Sequence, residues 1–227
     1  MRKHGEEHML RTLTGMAVAA ACFSAAPAAA SIIWTDWTNI DSSTATGNID
    51  GITVTLGGPF DNWQISGGTD YWRQGGVTPW PAYDGVTNLP ANNDFIAPSG
   101  SQATHVISFS SPVTDPYFAI ISLGQYGIQT NWTFDAPFTL IDQGQGFWGN
   151  GAFTIVGNSI TAGEAHGIIR FQGTYSQITL VTNNTENWSG LTIGIEAVPE
   201  PAAWAMLIMG FGLVGIAARR RDRSLAA

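Results

Sequence analysis

Between Ser31 and Glu196 the chain shows no helical periodicity. Short runs rich in Val, Ile, Thr and aromatic residues follow one another instead, broken by Gly, Asn, Asp and Pro. In Ile178-Thr179-Leu180-Val181-Thr182 and Leu191-Thr192-Ile193-Gly194-Ile195 one face is apolar, the period-2 signature of a half-buried strand. This pattern predicts strands near Ile32–Thr38, Ile52–Leu56, His105–Phe109, Tyr117–Leu123, Asn131–Phe134, Phe138–Ile141, Ala152–Val156, Gly167–Phe171, Ser176–Thr182 and Leu191–Glu196. Such a run of strands without intervening helices predicts an all-β fold, an antiparallel β-sandwich that is jelly-roll-like. The section from Gly57 to Gly100 differs. It is rich in Gly, Pro and Asn, holds Trp63, Tyr71, Trp72 and Trp80, and reads as an extended loop on one end of the sandwich.

Charge separates this region from the two ends. Seven of the nine Lys and Arg lie at the termini, and residues 31–198 carry only Arg73 and Arg170 against ten Asp and three Glu, a formal charge of −11. A surface this acidic repels nucleic acid and anionic lipid, which argues against both as partners. The single cysteine, Cys22, precedes the domain, so residues 31–198 have no disulfide, thiol catalyst or Cys-based metal site.

The first thirty residues read as a signal peptide. A basic start (Arg2, Lys3, Arg11) precedes an alanine-rich apolar run, and Ala28 and Ala30 give the A-x-A pattern that places cleavage before Ser31. Met9 is a second candidate start, and Ala19-Ala20-Ala21-Cys22 is a weaker, lipoprotein-type alternative. Export by the Sec translocon, with signal peptidase as the processing partner, is the expectation.

The C-terminus reads Val198-Pro199-Glu200-Pro201-Ala202-Ala203-Trp204-Ala205, then apolar residues to Ala218, then Arg219-Arg220-Arg221-Asp222-Arg223. From Ala202 to Ala218 there are 17 uncharged residues, about the minimum for a membrane-spanning helix, and the arginines behind them stay on the cytoplasmic side. Gly210-Phe211-Gly212-Leu213-Val214-Gly215 matches G-x-G-x-x-G, but inside an apolar span it carries no nucleotide site.

This arrangement at residues 199–223 resembles the PEP-CTERM sorting signal in its Trp-Ala variant, carried by Pro199, Glu200, Pro201, Trp204, Ala205 and the run Arg219, Arg220 and Arg221. The resemblance implies recognition by an exosortase, transient anchoring in the inner membrane and removal of the tail. It also implies a mature domain at the surface of, or outside, a Gram-negative bacterium that makes exopolysaccharide and biofilm matrix. The same tail is found on some ice-binding proteins; that role needs a flat Thr-rich face, and the sequence shows no T-x-T repeat array. Residues 100–198 are in turn similar to passenger domains of PEP-CTERM proteins. The motifs that carry this are Ile121-Ser122-Leu123-Gly124-Gln125, Trp148-Gly149-Asn150-Gly151, Gly163-Glu164-Ala165-His166-Gly167, Phe171-Gln172-Gly173-Thr174-Tyr175 and Glu186-Asn187-Trp188.

No catalytic constellation stands out, so a non-enzymatic role is expected. His105 and His166 read as structural, and Glu164 with Asp142 or Glu186 offers the paired carboxylates a glycosidase needs. Hard oxygen ligands suit Ca2+, so a structural Ca2+ is the one cofactor with candidate ligands: Asn39, Asp41, Asn48 and Asp50 in one set, Asn92, Asn93 and Asp94 in another. Asx turns are the competing reading of the same residues. Among the tryptophans, Trp132 and Trp148 are expected in the core, and Trp63, Trp72 and Trp80 as a platform for glycan, with Arg73 beside them to pair an acidic sugar.

Overall fold

The computed structural model describes residues 31–92, 94–99, 102–183 and 188–197, together with 207–208, 210–212 and 214. The first strands are β1 (Ile32–Trp34), β2 (Asp36–Ile40), β3 (Thr44–Ile49), β4 (Ile52–Gly57), β5 (Phe60–Gln64), β6 (Arg73–Gln74), β7 (Thr78–Pro79) and β8 (Phe95–Pro98). Then come β9 (Ala103–Thr114), β10 (Tyr117–Leu123), β11 (Thr130–Phe134), β12 (Phe138–Gly144), β13 (Thr154–Val156), β14 (Ser159–Ala162), β15 (Ala165–Phe171), β16 (Thr174–Asn183) and β17 (Gly190–Glu196). The signal peptide expected at 1–30 lies outside the described residues. So does most of the apolar span expected at 202–218, and among the described residues no helix is long and apolar enough to cross a membrane.

Two large antiparallel sheets form, and β6 and β7 pair separately as a two-stranded one. Sheet A runs β12-β15-β10-β17-β8-β5, with β1 also on β17, and sheet B runs β13-β14-β11-β16-β9-β4-β3-β2. From β8 onward the pairs nest first with last: β8 on β17, β9 on β16, β10 on β15 and β11 on β14. That nesting is a hairpin of paired strands rolled across two sheets, the jelly-roll topology. Strands β2 to β4 widen sheet B, while β1 and β5 widen sheet A.

The inner faces interdigitate in a core that includes Phe118, Ile120, Ile193, Ile169, Trp132, Ile107 and Leu180. Phe118, Phe134 and Phe171 meet there with ring centroids 4.8–5.9 Å apart. Each such buried side chain contributes on the order of 1.5–3 kcal/mol. Sheet A is also covered on its outer face. Tyr117, Ala119, Ile121, Ile168, Phe95 and Ala97 point there and pack under Trp72, Ala82 and Tyr83. The Gly57–Gly100 section is therefore not a loop at one end of the sandwich. It carries β5 to β8 and a 3-10 turn (Pro81–Tyr83), and it lies across sheet A. Its aromatics explain the difference, because exposed at the sandwich end they would forgo the burial that sheet A offers. Sheet B has no such cover among the described residues. Its outer face is uncharged in the row Asn39, Thr46, Thr55, Ser108 and Gln177, which the register aligns across five strands.

The run predicted as one strand at Ile32–Thr38 divides at Thr35, with β1 in sheet A and β2 in sheet B. Thr35 is fully buried at this corner, where its amide and hydroxyl both donate to Ile193 O at 2.8 Å. Trp37 then donates its amide to Asp94 Oδ1 (3.1 Å) and its indole N–H to Thr192 Oγ1 (3.1 Å). A buried carboxylate thus holds the sheet-switching strand. Burial pushes the Asp94 carboxyl up to about 6; the Trp37 amide opposes the rise, and the charge of Asp36 adds to it.

This rise fixes the sign of a pH dependence. Unfolded, Asp94 titrates near 3.8; folded, near 6, so the native state holds the proton more tightly in between. Asp94 therefore favours folding most at the acid end of that window, and its contribution is lost as pH rises through about 6. Asp94→Asn keeps an acceptor for Trp37 and removes the buried charge. It is expected to raise stability at neutral pH by about 1–2 kcal/mol and to flatten the profile across the window. Denaturant melts of residues 31–197 at several pH values check this, and an unchanged pH profile would refute the role given to Asp94.

Candidate functional site

At the end of β10 the ladder with β15 slips between Ile120 and Leu123, and Ser122 takes a left-handed conformation with φ 54°. Opposite it, between β14 and β15, Glu164 does the same with φ 72°. Left-handed backbone at residues that are neither Gly, Asn nor Asp costs of order 1 kcal/mol or more, and it persists only where surrounding contacts impose it. Here the two strained residues face each other: Ser122 Oγ donates to Glu164 Oε1 at 2.7 Å.

His166, fully buried, sits beneath this pair. Its Nδ1 accepts the Ser122 amide at 3.2 Å, which leaves the ring proton on Nε2. Nε2 lies 3.3 Å from Glu164 Oε1 but without hydrogen-bond alignment. Tyr83 Oη is 3.2 Å from the same Nδ1 and donates to Ile120 O at 2.9 Å. Burial, and after it the Glu164 charge, keep the Tyr83 phenol protonated well beyond its ordinary range.

The loop after β12 brings aromatic rings to this carboxylate. Gly146 closes a tight turn by donating to Gly149 O at 2.8 Å, and Gly151 donates to Glu164 O at 2.9 Å. A Cβ at Gly146 would collide with the His166 ring, and one at Gly149 with Glu164 Cγ, so only glycine lets the loop lie this close. Trp148 and Phe147 are thereby held at the surface, 45% and 39% exposed. Trp148 stacks on Tyr71 (centroids 4.8 Å, 27°) and meets Trp188 edge-on at 4.3 Å. Phe95 and Phe147 complete the cluster around Tyr71 at 5.4 and 5.0 Å. Ser122, Gln125, Trp148, Glu164 and Trp188 line a cleft of about 250 Å3. Four motifs far apart in sequence thus supply one site. Nothing in their order signals convergence, and the jelly-roll pairing brings them together.

The residues expected to form a glycan platform are dispersed. Trp63 is 45% exposed on the edge strand β5. Trp72 is fully buried, edge-on to Tyr83 at 5.2 Å and donating its indole N–H to Ala91 O at 3.0 Å, so it is a core residue. Trp80 is partly buried, 6.4 Å from Phe147. Trp132 is in the core as expected, whereas Trp148 is at the surface, because its glycine turn lifts it off the strand. Arg73 is not free for an acidic sugar. It pairs with Asp70 at 3.3 Å and donates to Pro90 O and Leu89 O, which fastens the cover of sheet A.

The carboxylates and metal candidates are also separated. Asp142 accepts the Gly85 amide at 2.7 Å and is not among the cleft's lining residues, and Glu186 lies outside the described residues. Asp41 Oδ1 accepts the amides of Ser43 and Thr44, and Asn48 Oδ1 accepts that of Gly51, so both work in Asx-type turns. Asp41 and Asp50 flank opposite ends of β3, and the four residues Asn39, Asp41, Asn48 and Asp50 do not converge. Asn93 lies outside the described residues, and Asp94 serves Trp37. His105 is buried as expected of a structural residue, with Nε2 3.4 Å from Ser99 O and its pKa lowered chiefly by burial.

The chain leaves the sandwich at β17, where the Ala197 amide donates to Ser31 O at 2.7 Å. Residues 197–221, immediately behind that strand, match the family model of the PEP-CTERM protein-sorting motif. The chain carries a PEP-CTERM sorting domain. The motif implies an exported, exosortase-targeted protein whose precursor is held at the membrane by its C-terminus. No curated protein and no solved structure matches the chain.

The two environments of tryptophan give opposite outcomes. Trp72→Ala is expected to cost about 3–5 kcal/mol and to lower the yield of soluble protein, because it opens a cavity beneath the cover of sheet A. Trp63→Ala is expected to cost under about 1 kcal/mol. Thermal melts of the two variants decide this, and equal stabilities would contradict the packing described.

Proposed function

We propose that the protein is a non-enzymatic component of the cell surface or extracellular matrix, cut from its tail by an exosortase, whose β-sandwich holds exopolysaccharide. The observation that carries the reading is the sorting motif directly behind the last strand of a folded domain. Proline has a restricted φ, so Pro199 and Pro201 on either side of Glu200 leave a processing enzyme fewer backbone states to select from. Signal peptidase and the Sec route complete the path.

The cleft supports the sugar-holding half of the reading. A solvent-facing indole offers a pyranose face a large apolar contact at little entropic cost, and Gln125, Ser122 and Glu164 supply polar groups around its rim. Among the described residues Glu164 is the one carboxylate lining the cleft, which suits binding better than glycosidic hydrolysis, which uses two across the scissile bond.

Two measurements test this. Replacing Glu200, or both Pro199 and Pro201, by Ala is expected to leave an uncleaved precursor in the inner-membrane fraction; processing as in the wild type would end the exosortase reading. Trp148→Ala is expected to weaken binding to the producing strain's polysaccharide by about 1–2 kcal/mol with the melting temperature nearly unchanged. Undiminished binding would remove the cleft from the function.

A further inference from the structure

We infer that the cleft selects cationic amino sugars, hexosamine units carrying a free ammonium group, over neutral or acidic ones; this rests on the glycan-binding reading above. The domain's two basic residues are both committed elsewhere. Arg73 is held by Asp70 and two carbonyls. Arg170 pairs with Asp115 at 2.8 Å and Glu196 at 3.3 Å, with its guanidinium 5.2 Å over the Tyr117 ring. Among the described residues no cation therefore lines the cleft to meet a uronate or sulfate, and Glu164 is the one formal charge there.

The geometry around Glu164 favours an ammonium ion. Its side chain is 17% exposed, and Ser122 Oγ anchors one carboxylate oxygen. Trp148 and Trp188 form the adjoining wall, so a cation seated at the carboxylate also faces indole rings. A partly desolvated carboxylate beside aromatic faces binds an ammonium by charge-assisted hydrogen bonding and cation–π attraction together. The sugar ring that bears the ammonium offers its apolar face to Trp148. The domain's charge of −11 draws a polycationic chain from a distance and repels a polyanionic one.

Ser122 and Glu164 are positioned for this task at a cost. Both hold a left-handed backbone, and together they fix the carboxylate at the mouth of the cleft rather than leaving it on a mobile side chain. A merely solubilising glutamate needs neither the strain nor the serine.

The test compares residues 31–197 binding three oligosaccharides of equal length by calorimetry: fully deacetylated chitin, N-acetylated chitin and a polyuronate. The deacetylated chain is expected to bind about tenfold more tightly than the N-acetylated one, and the polyuronate not measurably. Glu164→Gln, which preserves an acceptor for Ser122, is expected to bring the two chitin-derived chains within about threefold of each other. Asp50→Asn, in the β3–β4 turn, removes an equal charge outside the cleft and is expected to keep the tenfold ratio. Trp148→Ala is expected to weaken binding of both chitin-derived chains. Equal wild-type affinity for the two chains, or a ratio unchanged by Glu164→Gln, overturns the amino-sugar inference and leaves the glycan reading standing. Loss of the ratio in Asp50→Asn as well assigns the preference to overall charge and overturns the inference too. Absence of wild-type binding to all three and to the native polysaccharide overturns both.

Discussion

A sheet buried on both faces must find apolar partners above and below every strand, and the central strands of sheet A answer with near-continuous apolar runs. Strands β10, β15 and β17 are buried along almost their whole length. One set of side chains meets sheet B and the alternate set meets the cover formed by residues 65–92. The cover must therefore be aromatic-rich and pinned, and it is: Trp72 and Tyr83 fill it, while Arg73 and Asp70 tie its ends. Tyr71 of the cover meets Trp148 and Trp188 beside the cleft, and these rings close the edge of the buried layer against solvent.

Much of the fold was legible in the sequence because period-2 alternation survives wherever one face of a strand is wet. Tyr117–Leu123 appears with the predicted bounds, and eight other predicted runs overlap observed strands, although β9 extends to twelve residues where five were predicted. The failures have physical causes. Thr44–Ile49 and Ser159–Ala162 each bury only one large apolar side chain, Ile49 and Ile160, so neither stood out as a strand. Thr35 changes sheets in the middle of a single run of strand-forming residues, Ile32 to Thr38, in which no Gly or Pro marks the crossing. Threonines that look scattered along the chain are aligned only by register, as Thr46 and Thr55 are.

The site was half legible. Its residues sit in the motifs that carry the resemblance to sorted passenger domains, yet each read as a fold marker. Composition pointed instead to the loop with the most tryptophan. A tryptophan's fate depends on which sheet face lies beneath it, and Trp72 found one while Trp148 was lifted away by glycines. Glu164 likewise looked like one acid among thirteen; its left-handed backbone and its bond to Ser122 set it apart.

Strand β17 links the two ends of the molecule's working life. Trp188 stands just before it and Pro199 three residues after its last member, a gap that spans at most about 10 Å even when fully extended. A polymer gripped at the cleft and a membrane or processing enzyme holding the tail would thus pull on opposite ends of one strand roughly 20 Å long. That strand is central, bonded to β10 along one edge and to β1 and β8 along the other. Tension along it loads its hydrogen bonds in shear, many at once, rather than peeling them singly. On the function proposed above, β17 would bear a drag force between polymer and cell while the tail remains attached, and cutting the tail would release that load in a single step.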